Sequence, residues 1–238
     1  MNSVTTFSLL AFGFVLGLKH AVDADHLAAI STIASERRSL LSSTLVGALW
    51  GIGHTISLIV VGVIVIFLHL EISNRVSQVL EFFVGLMLVF LGLNTLRHLA
   101  RGARLHMHVH EHGGKLHAHP HVHRHAQNDQ PHTHHGLRFG SRPLFIGIVH
   151  GMAGSAALML LVLQSISSPI VAFIYIIVFG IGSIGGMMIM STLFALPARL
   201  TVSSFQRANF ALRCLAGLFS LSFGLFMLYE IGINAQLR

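Results

Sequence analysis

Residues 41–69, LSSTLVGALWGIGHTISLIVVGVIVIFLH, hold no Asp, Glu, Lys or Arg. About 20 apolar helical residues cross the ~30 Å hydrocarbon layer of a bilayer, so a run of this length reads as a membrane helix. The rest of the chain has the same character. Of 238 residues, 53% are hydrophobic and 10% are charged, with a mean hydropathy of +0.75. A soluble domain carries about 25% charged residues, which excludes an ordinary soluble enzyme, and the apolar content excludes a disordered or collagen-like chain. With one Cys, Cys214, the chain cannot build an internal disulfide scaffold, a CxxC redox pair or a thiolate metal cluster. A net charge of +7 and a pI near 11.1 do not indicate a nucleic-acid partner, because the basic residues sit in short loops between apolar segments.

Six apolar segments are expected to span, at roughly 6–33, 41–69, 77–98, 143–165, 169–197 and 208–231. The first has neither a basic n-region nor a small-residue cleavage signal and reads as a retained helix. The halves resemble one another. Gly13 and Gly17 match Gly147 and Gly151, Trp50-Gly51-Ile52-Gly53 matches Phe179-Gly180-Ile181-Gly182, and Gly85 with Gly92 matches Gly217 with Gly224. These offsets are 134, 129 and 132, in register along the chain. Glycine spacing alone is ordinary helix-packing chemistry, but three ordered matches indicate duplication. Three spans is an odd number, so the second copy must enter the membrane inverted, an arrangement common in secondary transporters. The fold expected is an all-α integral membrane protein of six transmembrane helices, built as two inverted three-helix repeats (1–98 and 141–238). A disordered His-rich loop, 99–140, lies between them.

Basic residues are unevenly shared between the two sides. Arg37, Arg38, Arg97, Arg101, Arg104, Lys115, Arg124, Arg138, Arg142, Arg199 and Arg207 fall in alternate loops, and only Arg75 and Arg238 lie opposite. The positive-inside rule then puts the His-rich loop in the cytoplasm and both termini outside, in a multi-pass protein of the cytoplasmic membrane.

The first apolar segment contains Lys19-His20-Ala21-Val22-Asp23-Ala24-Asp25-His26. Three charges facing lipid at a helix centre cost roughly 8–10 kcal/mol, so the cluster must face the bundle interior, a water-filled cavity or a bound ion. On an unbroken helix His20, Asp23 and His26 share one face, and imidazoles with a carboxylate suit a divalent transition metal. Asp25 then points elsewhere, as a partner orienting a ligating His. Lys19 and Asp23 at i,i+4 can neutralise each other. The competing readings are a helix cap at the membrane surface and a proton relay without metal. His54, inside the second segment, suits either a ligand or a helix–helix hydrogen bond. His150 occupies an early position in the fourth segment, whose Gly151-Met152-Ala153-Gly154-Ser155-Ala156 has no acid. A site drawn mainly from the first repeat, completed by His54 and His150, fits this asymmetry.

Histidine is also concentrated outside the apolar segments. Of 18 His, 12 fall within 106–135, among them His106, His108, His110, His112, His117, His119, His121, His123 and His125. Neutral imidazoles with few acids suit Ni, Co, Cu or Zn and disfavour calcium and magnesium. A spacer with incidental His is the bland alternative.

His20-(four residues)-Asp25-His26 resembles the signature of the nickel/cobalt transporter family, and Gly53-His54-Thr55 is similar to that family's second short motif. The resemblance is specific over about 60 N-terminal residues. It implies transport of Ni(II) or Co(II) as substrate, no prosthetic group, and roles for His20, Asp25, His26 and His54. It also makes Asp25 the signature acid where an unbroken helix prefers Asp23, and a break near Gly17 would reconcile the two. Six spans, with no acid in Gly151-Met152-Ala153-Gly154-Ser155-Ala156, are more similar to the compact, urease-accessory-type branch. The long His loop is similar to that of nickel/cobalt efflux proteins, so import and export both stay open. The lead reading is a secondary carrier in contact with lipid, a divalent ion and a cytosolic nickel acceptor. A membrane metallochaperone without net transport is the alternative. An intramembrane metal hydrolase ranks last, lacking HExxH, and no Walker motif indicates nucleotide hydrolysis.

Overall fold

A computed structural model describes residues 3–35, 39–68, 73–101, 106–112, 115–121, 141–152, 166, 168–204 and 206–236. The first apolar segment forms two helices, α1 (Ser3–His20) and α2 (Ala24–Ser35), bent by 55°. Tight turns close α1, with Val22 N–H donating to Lys19 O at 2.9 Å and Asp23 N–H to His20 O at 3.1 Å. Asp23 then stands at the N-cap of α2, its carbonyl accepting from Leu27 N–H at 2.9 Å. Lys19 lies in the last turn of α1 and Asp25 in the first turn of α2, so each charge complements its helix dipole. The break therefore falls at 21–23, one turn beyond the glycine where the sequence suggested it.

The second and third segments are α3 (Leu40–Leu68) and α4 (Asn74–Ala100), the latter capped by Ser73, whose hydroxyl accepts from Val76 N–H. The fourth begins as α5 (Arg142–Gly151), started by Pro143 in its first turn, and residues 153–165 lie outside those described. The last two are α6 (Pro169–Ser204) and α7 (Gln206–Gln236). Among the described residues four helices are long and apolar enough to span, or five spans if the bent α1–α2 pair counts as one. The protein is thus a helical, multi-pass membrane protein. Its outer faces carry Phe7, Phe90, Ile170 and Tyr229, each at least two-thirds exposed, as lipid-facing surfaces require.

The His-rich segment differs from expectation. His106–His112 (β1) and Lys115–His121 (β2) pair as antiparallel strands with His106 opposite His121, His108 opposite His119, and His110 opposite His117. The sequence reading has a disordered loop over those residues. Two runs alternating His with other residues flank Gly113-Gly114, a two-residue sequence that favours hairpin closure. His123 and His125 lie outside the described residues.

Helix packing centres on α3 against α6, with α1 on α6, α5 on α3, and α4 paired with α7. The contacts come in matched pairs. A Cβ on Gly17 would collide with the Phe179 carbonyl, and one on Gly147 with the Trp50 carbonyl. Likewise a Cβ on Gly182 would meet the Phe14 carbonyl, and one on Gly53 the Leu144 carbonyl. A Cβ on Gly92 would lie 2.6 Å from Gly217 O, and one on Gly224 2.8 Å from Gly85 O. In contact terms Gly17 corresponds to Gly147, an offset of 130 where glycine spacing alone gave 134. Hydroxyls tie these interfaces to backbone carbonyls: Ser191 to Ser43 at 2.6 Å, Ser57 to Ile148 at 2.8 Å, Ser220 to Leu88 at 2.9 Å, and Ser183 to Gly17 at 3.3 Å. Ala28, Ala29, Ala34, Trp50, Leu88 and Met187 fill the core beside them.

Candidate metal site

The α1–α2 break, the middle of α3 and the end of α5 meet around five side chains. His20 ends α1, Asp25 and His26 open α2, His54 comes from α3, and His150 comes from the last turn of α5. His26, His54 and His150 are fully buried and His20 nearly so. His20 Nε2 lies 3.1 Å from His54 Nε2. The carboxylate of Asp25 reaches two imidazoles, with Oδ1 3.0 Å from His26 Nδ1 and Oδ2 3.0 Å from His150 Nε2. Asp25 Oδ1 also accepts from the His26 backbone N–H at 2.9 Å, satisfying a free donor of the first turn.

Asp23 holds His20 instead, its Oδ2 2.8 Å from Nδ1, and its side chain is 43% exposed. The break separates the two acids. An unbroken helix would have aimed Asp23 with His26, whereas here Asp25 lies among the buried imidazoles and Asp23 sits at their margin.

Two sets of donor atoms converge within 4.8 Å: His20, His26 and His54, and Asp25, His26 and His150. Imidazole–metal bonds of about 2.0–2.1 Å place neighbouring donors on one ion about 3 Å apart, the scale of the separations seen here. Among the described residues His26 Nε2, His54 Nδ1 and His150 Nδ1 are buried with no hydrogen-bond partner. An unsatisfied buried polar atom costs about 1–3 kcal/mol. Four imidazoles and a carboxylate, with no thiolate among them, form a borderline-soft N/O site suited to Ni, Co, Cu or Zn.

Two aromatic walls were not singled out by sequence reasoning as part of the site. Trp50 packs against His26 at 5.4 Å and His150 at 5.5 Å between ring centroids, and Phe179 lies 5.5 Å from His20. Both belong to the WGIG/FGIG match, and that match was the signal available. The two walls correspond, each set beside the histidine of the helix that packs on it.

The NicO family, described as high-affinity nickel-transport protein, matches residues 6–228. The chain belongs to the NicO family. The urease accessory protein UreH of Bacillus sp. (strain TB-90) is 36% identical over 242 residues, covering 100% of this chain and 97% of the relative. No solved structure matches. Family membership thus extends the N-terminal resemblance over nearly the whole chain. It brings a nickel-transport family, apolar helices and a His-rich metal-binding character together in this NicO protein.

Proposed function

We propose that the protein is a secondary carrier moving Ni(II) or Co(II) across the cytoplasmic membrane, with the ion as substrate and no prosthetic group. The buried cluster of His20, Asp25, His26, His54 and His150 carries this reading. Its donor atoms converge within 4.8 Å in two three-residue sets, in a chain otherwise nearly free of intramembrane charge. Asp23 orients His20 from the margin and is the second acid of the pathway.

The matched helix contacts support a pair of inverted three-helix repeats, 1–98 and 141–238, rocking around this site. Inversion of the repeats, with the positive-inside count, favours a cytoplasmic 99–140 segment. His106, His108, His110, His112, His117, His119, His121, His123 and His125 would there take up or release ions toward a cytosolic acceptor. The likeness to a urease accessory protein favours a second reading, in which nickel is handed over without net transport.

The full chain reconstituted in sealed vesicles separates these readings, with nickel, cobalt and zinc flux measured in both directions. A carrier moves ions, and the favoured direction settles import against export. Metal binding with no flux either way would replace the carrier by the accessory reading.

A further inference from the structure

The imidazoles of His20 and His150 both pack edge-on against His26, in nearly the same relation to it. His20 is 4.4 Å from His26 at an interplanar angle of 67°, and His150 is 4.2 Å away at 63°. The two histidines come from different halves of the chain. By the contacts of their helices they are counterparts, 130 residues apart like Gly17 and Gly147. Each has its own aromatic wall, Phe179 beside His20 and Trp50 beside His150. Each also has its own carboxylate, Asp23 on His20 and Asp25 on His150.

The geometry points to a two-station relay, in which one ion is held alternately by His20, His26 and His54 and by Asp25, His26 and His150, with His26 serving both stations. This rests on the metal-carrier reading and specifies how the cargo moves within it. His54 faces His20, with their Nε2 atoms 3.1 Å apart, and so completes the first station. Asp25 bridges His26 and His150 through its two oxygens and so completes the second. Sharing His26 limits the pair to one ion at a time, because a neutral imidazole has one nitrogen free to bind a metal and carries its proton on the other. The stations differ in chemistry: three imidazoles against two imidazoles and a carboxylate. They also differ in surroundings, since His20 of the first is held by half-exposed Asp23 and His150 of the second packs against buried Trp50. A hand-over between unlike stations lets an ion be bound firmly yet leave, which a single closed five-ligand cage would resist.

Co(II) is the probe, added to the purified full chain in detergent and followed by its visible ligand-field spectrum, with the Co(II) and signal held by the His-rich segment subtracted as those of a chain in which His20, His26, His54 and His150 are all replaced by Gln. Wild type is expected to bind one Co(II). His150→Gln and Asp25→Asn each disable the second station and leave the first, so both should bind one Co(II) with the same all-imidazole spectrum. His54→Gln and His20→Gln should bind one Co(II) with a second, shared spectrum, shifted to longer wavelength by the weaker carboxylate field. All four should lose vesicle flux, and His26→Gln should lose both binding and flux. Two Co(II) bound at once to wild type would overturn the relay. So would one spectrum common to all four folded variants, or loss of binding in His150→Gln and Asp25→Asn alike. Wild type that binds no Co(II) would sink the carrier reading itself. Asp25→Asn is nearly isosteric, and matched elution profiles and helical circular dichroism confirm that each variant is folded.

Discussion

The Nε2 atoms of His20 and His54 lie 3.1 Å apart although 34 residues separate them in the chain. Without an ion, one ring must donate to the other, so each satisfies its partner's buried nitrogen. His54→Ala is expected to leave His20 Nε2 unsatisfied and to destabilise the protein by about 1–3 kcal/mol. Replacing both rings together, as His20→Phe/His54→Phe, removes both polar partners and should cost less than the sum of the two single changes. Thermal unfolding in detergent with chelator present measures this, and strict additivity would show that the pair is not coupled. Nickel flux should be absent in His54→Ala, in both single Phe variants and in the double one.

The glycine contacts divide the helix glycines into two kinds. At Gly147 an added Cβ runs into the Trp50 carbonyl, a backbone atom that cannot rotate away, whereas Gly232 has nothing within 4 Å. Gly147→Ala is therefore expected to destabilise by about 1–3 kcal/mol through overpacking, and with it the seating of α5 that places His150. Gly232→Ala should be neutral or stabilising by up to about 1 kcal/mol, because alanine is the better helix former. The same melting assay compares them, and equal effects would refute the assigned helix contacts.

Apolar runs over 41–69, 169–197 and 208–231 were legible in the sequence because lipid leaves little freedom in composition, and α3, α6 and α7 follow them closely. The chemistry of His20, Asp25, His26 and His54 was legible from the rarity of such groups in a membrane. Two features were not. Glycines spaced by four permit two alignments one turn apart, and only the packed carbonyls of Phe179 and Trp50 select Gly17 with Gly147. The break at 21–23 is closed by backbone turns at Val22 and Asp23, and helical periodicity carries no sign of where a helix stops. That one local choice exchanges the positions of Asp23 and Asp25. The hairpin from His106 to His121 is a further case, since its signal lay in Gly113-Gly114 between alternating runs.

Ser57 joins α3 to α5 through the Ile148 carbonyl, two residues before His150. Hydrogen bonds between membrane helices contribute about 0.6 kcal/mol on average and at most about 1.7. Ser57→Ala should therefore fold with a small loss of stability. Because α5 carries His150, the same variant should weaken Co(II) binding more than Ser220→Ala, whose bond to Leu88 O lies between α4 and α7. Equal affinity in the two variants would show that α5 needs no such anchor.

Nickel itself should stabilise the folded protein, since the ligands come from α1, α2, α3 and α5 and are assembled only when these helices pack. A ligand at 100 times its dissociation constant, binding the native state alone, adds about 2.7 kcal/mol. Ni(II) or Co(II) at that excess should raise the melting temperature in detergent, and chelator should reverse the rise. Mg(II) should not, because it demands oxygen ligands in near-octahedral array and the cluster offers one carboxylate among four imidazoles. The 106–121 hairpin supplies a second set of imidazoles, so the measurement is made with residues 102–140 replaced by a short Gly/Ser linker of equal span. The shift should survive in that protein and vanish when His26→Ala is added. A shift lost with the hairpin but kept with His26→Ala would move the principal metal site out of the membrane.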